Sequence, residues 1–164
     1  SINKVGIFGH SGGGFMSTAA MLVYPDFFKV AVSSAGNHDN SIYNSWWSES
    51  HHGIKKEENE NGEVEYKYEI DTNQELAKNL KGHLLLVTGD MDNNVHPAAT
   101  IRVVDALIKA NKRFSFLIMP GVRHGLNTNE YFFWLKADYF SKHLLGKDDF
   151  SVDMNIINQN VPKN

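Results

Sequence analysis

Apolar residues fall into short blocks, separated by longer stretches in which they recur at helical spacing. Val5, Ile7 and Phe8 lie in residues 3–8 and run into Gly9, as in a short buried strand. Residues 15–24 are rich in Ala, Met and Leu and stop before Pro25, which predicts a helix. A second short strand is expected over 30–33. Residues 84–88, closed by Gly89, and 114–119, closed by Pro120 and Gly121, are continuous apolar runs. Such runs suit strands buried on both faces. Between them, residues 97–110 place Ile101, Val104 and Leu107 or Ile108 at helical spacing, with Pro97 in the first turn. After the last strand, Asn127 and Glu130 have capping-box spacing. They open a helix that runs to Leu145, stops at Gly146 and turns Phe132, Leu135, Tyr139 and Phe140 inward. Strands alternating with helices predict an α/β fold: a mostly parallel sheet with helices on both faces, a three-layer sandwich.

Residues 36–71 break this rhythm. Paired Trp and His residues come first, then a charged stretch over 55–69. Asn61-Gly62 is a hairpin turn signal, and Val64, Tyr66, Tyr68 and Ile70 alternate with charged residues. An inserted hairpin beside the mouth of the site is expected, followed by a short helix capped by Asp71 or Thr72 and reaching Leu80. Residues 1–146 thus read as one domain with an insert at about 36–71, and 147–164 as a polar tail.

At 164 residues and 41% hydrophobic, the chain suffices for one packed core. A formal net charge of −3 leaves no basic footprint, so nucleic acid is not an expected partner. No apolar run reaches membrane-spanning length, so this segment is not expected to insert. The absence of Cys excludes disulfides, thiolate catalysis and cysteine zinc sites. The chain begins at Ser1 within a strand-like segment, which reads as a piece of a longer protein.

The strongest chemical signal is Gly9-His10-Ser11-Gly12-Gly13, a G-x-S-x-G pattern between an expected strand and an expected helix. A nucleophile on a sharp, strained turn needs small neighbours two positions either side, and Gly9 and Gly13 remove those collisions. The helix start aims the Gly12 N–H at a developing oxyanion. Phosphate-binding readings of this loop fail. No Lys follows as in a P-loop, and a dinucleotide fingerprint from Gly12 needs Gly where Ser17 stands. A serine nucleophile requires a base and a group to orient it. His124, in the loop after the last strand, is placed for the base. His96 is its rival but opens a helix, and His10 is expected to point away from the serine. For the acid, Asp90 and Asp92 compete evenly after the strand 84–88.

Gly9-His10-Ser11-Gly12-Gly13-Gly14, Gly89-Asp90-Met91-Asp92-Asn93-Asn94-Val95-His96 and Arg123-His124-Gly125 resemble the catalytic domain of the prolyl oligopeptidase family, in its dipeptidyl-peptidase-IV-like branch. The resemblance spans most of residues 3–145 and implies a partial α/β-hydrolase fold. It selects Asp92 as triad acid beside Ser11 and His124. It implies that Asn94 hydrogen-bonds the substrate backbone and that Val95 lines the pocket. Ile42, Tyr43, Trp46 and Trp47 fall where the family places aromatic pocket walls. The chain departs from the branch at His10 and Gly12, where many members carry Trp and Tyr. The implied activity is a serine peptidase on short peptides, without metal or organic cofactor. The implied partners are upstream hydrolase strands and a β-propeller outside these residues, with a homo-oligomer admitted. The implied compartment is the periplasm or cell surface, with the cytosol open. An esterase on the same fold, or a non-catalytic binding domain, are the rival readings.

Overall fold

The computed structural model describes residues 2–148 and 152–160. Its centre is a four-stranded parallel sheet built from β1 (Val5–His10), β2 (Phe28–Ser34), β5 (His83–Gly89) and β6 (Ser115–Met119), in the order β1-β2-β5-β6. Each strand is joined to the next by a helical crossover: α1 (Gly12–Val23) after β1, α3 (Asn73–Leu76) before β5, and α4 (Ala98–Lys109) after β5. Sequential parallel strands require such crossovers, and the expected α/β architecture is the one found.

The alternation of strand side chains divides the interior in two. Ala31, Leu84 and Leu86 face one side and pack with Met21 and Leu22 of α1 and Val103 and Leu107 of α4. Val32, Leu85 and Val87 face the other side and pack with Met119, Leu126 and Phe132. The helix on that second side is α5 (Glu130–Phe140), which continues as a wider π turn over Ser141–Leu145. Both faces of β2 and β5 are therefore covered, which is why β5 carries an unbroken apolar run over residues 84–87 and β2 a shorter one over 30–32.

The structure alters several expected details. Helix α5 is capped by Asn129, whose Oδ1 accepts the Phe132 N–H at 3.1 Å, and not by Asn127. The expected first turn is instead a 3₁₀ turn, His124–Thr128. In α4 the buried stripe is Ala99, Thr100, Val103 and Leu107, whereas Ile101 and Ile108 are 45% and 63% exposed. The insert carries a helix the sequence pattern did not suggest, α2 (Ser45–His52), because its inward positions are Ser48 and His52 and not aliphatic residues. The expected hairpin follows as β3 (Ile54–Glu58) paired with β4 (Val64–Tyr68). Of the two candidate caps after it, Thr72 is used, in a capping box with Glu75. Part of the tail lies outside the described residues. Within it, α6 (Met154–Asn160) packs against α5 where no element was expected.

Strand β1 is an edge of this sheet. Phe8 is 63% exposed there, and Gly6, Phe8, Phe140, Leu144 and Leu145 line an apolar groove of about 400 Å3. Among the described residues no helix is long and apolar enough to cross a membrane.

The adjacent residues Leu107 and Ile108 test the assignment of the α4 face. Leu107→Ala should cost about 2–5 kcal/mol through the cavity it leaves. Ile108→Ala should stay within about 0.5 kcal/mol. Urea unfolding of the two variants distinguishes them, and equal losses would mean that α4 is rotated from the position described.

Candidate active site

Ser11 is the single residue between β1 and α1, with φ 57° and ψ −121°. A non-glycine residue with positive φ is strained by about 1–3 kcal/mol and persists only where its surroundings enforce it. Here the enforcement is visible. The Ser11 N–H donates to Ser34 O at 2.8 Å, and its carbonyl accepts the Phe15 N–H at 3.0 Å, so the helix starts at once. A Cβ on Gly9 would stand 2.0 Å from Gly13 O, a contact no side chain can relieve. The glycines thus have different roles from those expected. Gly9 is required to be bare, whereas a Cβ on Gly13 would meet nothing within 4 Å. Gly14 matters more, since its Cβ would lie 2.7 Å from Ser34 O where α1 packs on the end of β2.

The C-terminal ends of β5 and β6 bring the other two residues to Ser11. His124 Nε2 lies 3.0 Å from Ser11 Oγ, and His124 Nδ1 lies 2.8 Å from Asp92 Oδ2. The Asp92 side chain is fully buried, and its other oxygen accepts the N–H groups of Asn94 and Val95, each at 2.9 Å. Those two bonds curl the loop around the carboxylate and leave Oδ2 for the imidazole. Asp90 instead accepts the Gly121 N–H at 2.7 Å, tying the β5 loop to the loop that carries His124. The two loops touch at Gly89, where a Cβ would sit 2.1 Å from Val122 O. His96 does not approach the serine; its Nδ1 accepts the Ala98 N–H at the start of α4.

The expected pocket residues separate. Tyr43 OH donates to Asn94 Oδ1 at 2.9 Å, which orients the amide and leaves its NH2 as the donor end. Val95 is buried beneath the loop. Ile42 and Trp46 are exposed, Trp46 at 73%. Trp47 packs beside the nucleophile turn, where a Cβ on Gly12 would meet its ring at 3.3 Å. The ring is held edge-on by Tyr43, with centroids 5.6 Å apart, and stacked on His51 at 4.2 Å. The segment bearing these aromatics is anchored by Asp39, which accepts from Ser41 and Gln74 and pairs with Arg102. Burial alone would raise the Asp39 carboxyl, but the Ser41 and Gln74 hydrogen bonds and the Arg102 charge outweigh it and hold the group below its usual range.

Near the triad, His10 departs from its expected position, and its partner Ser34 is one the sequence pattern does not single out. His10 does not point away: its ring lies 4.8 Å from that of His124, and its Nδ1 is 3.0 Å from Ser34 Oγ. The parallel register of β1 and β2 sets His10 opposite Ser34, a pairing that spacing along the chain cannot reveal. Among the described residues no cluster of three or more His, Asp or Glu could hold a metal ion.

A parallel sheet with a strained serine on the sharp turn between a strand and the following helix is the mark of the α/β-hydrolase class. The sequence profile of the prolyl oligopeptidase family matches residues 1–147, and the chain belongs to that family. Human dipeptidyl peptidase 8 is 30% identical over 144 residues, which are 88% of this chain and 15% of that protein. The crystal structure of Porphyromonas gingivalis dipeptidyl peptidase 4 matches with a TM-score of 0.75 at 28% identity, over 88% of this chain and 20% of that one. The acylaminoacyl peptidase of Pyrococcus horikoshii shares the fold, with a TM-score of 0.71 at 21% identity over 96% of this chain and 26% of that one. The chain therefore spans about one-seventh of the length of the curated relative it matches.

The contact at Gly89 generates a test of how the base is held. Gly89→Ala forces the Val122 and Arg123 backbone away, at an overpacking cost of about 1–3 kcal/mol. The protein should stay folded by circular dichroism while His124 loses register with Ser11. A crystal structure of the variant with the Ser11–His124 contact unchanged would refute this.

Proposed function

We propose that this chain carries the acyl-transfer site of a serine peptidase acting on short peptides, as a dipeptidyl or oligopeptidase. The observation that carries the reading is the unbroken hydrogen-bonded chain from Ser11 Oγ through His124 to the buried Asp92. Family membership supports the peptidase class, and the printed names of the relatives, dipeptidyl peptidase 8 and dipeptidyl peptidase 4, support dipeptide release.

In this reading Ser11 Oγ attacks the scissile carbonyl while His124 Nε2 takes its proton. The carbonyl oxygen becomes an oxyanion facing the Gly12 N–H, which has no intrahelical acceptor because it opens α1. His124 then returns the proton to the leaving amine, and the C–N bond breaks to leave an acyl-Ser11 ester. A water, deprotonated by the same imidazole, hydrolyses the ester and releases Ser11. Asp92 keeps the Nδ1 proton of His124 in place and offsets the positive charge the ring acquires in each half-reaction. Asn94, its oxygen engaged by Tyr43, presents its NH2 to a substrate carbonyl. Trp47 fills the space beside Gly12 and forms the wall for the residue before the cut. A second oxyanion donor and anchors for the substrate amino terminus belong, on this reading, to parts of the protein outside residues 1–164.

A fluorophosphonate probe applied to the full-length protein should label Ser11, and Ser11→Ala should abolish the label. Asp92→Asn should slow peptide turnover on the order of 10⁴-fold by favouring the wrong tautomer, whereas Asp90→Asn should not. Asn94→Ala should weaken peptide turnover by about 0.5–1.5 kcal/mol and leave labelling intact. Absence of labelling would favour a binding domain that retains the fold. Equal loss of labelling and turnover in Asn94→Ala would make that residue a support of the Asp92 loop.

A further inference from the structure

His10 sits where three strand ends meet. Its Nδ1 is 3.0 Å from Ser34 Oγ on β2, and its ring lies against that of His124 with centroids 4.8 Å apart and planes inclined at 48°. Ser34 Oγ in turn donates to Gly9 O at 3.3 Å, so the ring is tied to the turn that strains Ser11. His124 is thus held at Nδ1 by Asp92 and braced on a second side by His10. The turn, the base and the brace form one connected unit.

We propose that His10 is a positioning residue for His124, which braces the ring of the base and must be uncharged for the base to accept the Ser11 proton. The inference rests on His124 being the base of the proposed peptidase. The physical reason is the charge His124 acquires when it takes that proton. A second imidazolium at this separation would oppose it with little water between them. The groups facing His10 are few. His124 approaches from the loop after β6, Asp92 from the loop after β5 and the neutral Ser34 from β2. Lys136 of α5 lies across a cavity of about 160 Å3 that His10 also lines. Burial first and then the neighbouring His124 lower the His10 pKa, against the smaller opposing effects of Asp92 and the His124 backbone, so the ring is uncharged at neutral pH. Acidification charges it, and the activity should then fall for a reason additional to protonation of the base.

The test compares kcat, KM and the acid limb of kcat/KM in the full-length protein with a chromogenic dipeptide amide, for wild type, His10→Ala, His10→Phe and His10→Gln. Loss of the brace in His10→Ala should lower kcat by about 10–100-fold with KM nearly unchanged, as small displacements of reacting groups do. The acid limb should be steeper than one proton in wild type and fall to a single proton in His10→Phe and His10→Gln. Those two variants fill the space, so the pH comparison stands even where His10→Ala fails to fold. Wild-type kcat and an unchanged acid limb in both would overturn the inference. Wild-type protein inert toward both the amide and a fluorophosphonate would bring down the peptidase reading, and this inference with it.

Discussion

A serine at φ 57° is disfavoured by about 1–3 kcal/mol, and the arrangement around it follows from what holds it there. The turn demands that Gly9 and Gly13 nearly touch, which no side chain at position 9 would permit. It demands that α1 begin within one residue of β1, at the cost of three glycines in a first turn with poor helix propensity. The low propensity is offset by packing, since Gly14 lets the helix settle against the end of β2. The Ser11 N–H then finds its acceptor at Ser34, so β2 is fixed relative to the turn. Ser34 contacts His10, and His10 contacts His124.

The same economy of space governs the far side of the site. Gly89 allows the β6 loop to lie on the end of β5, and two aspartates two residues apart divide the work of keeping it there. The Asp90 carboxylate accepts the Gly121 N–H across the loops, while Asp92, buried and satisfied by two N–H groups, turns its remaining oxygen to His124. A buried carboxylate without those partners would be costly, and their presence distinguishes it from its neighbour. The aromatic side is contributed by an insert between β2 and β5. There Trp47 occupies the volume that a side chain at position 12 would need.

Much of this was legible in the sequence because it rests on local rules. Unbroken apolar runs located β5 and β6, and G-x-S-x-G between strand and helix located the turn. Phe132, Leu135, Tyr139 and Phe140 were assigned to the inward side of α5, where they pack. What escaped depends on register and depth. Spacing alone turns His10 away from the serine, because the pairing of β1 with β2 is not written in the local sequence. Helix α2 was missed because it buries Ser48 and His52, which carry no hydrophobic signal. Trp46 and Trp47 could not be separated until the helix set which ring faced Gly12. Asp90 and Asp92 are equivalent by spacing alone; the family resemblance favours Asp92, and the hydrogen bonds separate the two.

The central claim is that a single chain of hydrogen bonds joins Asp92, His124 and Ser11 in the folded protein. Proton NMR of the full-length protein addresses it directly, since an imidazole Nδ1–H bonded to a buried carboxylate resonates far downfield and is protected from exchange. The account predicts one such resonance from His124 that disappears in Asp92→Asn and persists in Asp90→Asn. A downfield signal that survives Asp92→Asn, or its absence from folded wild-type protein, would contradict the arrangement on which every other step depends.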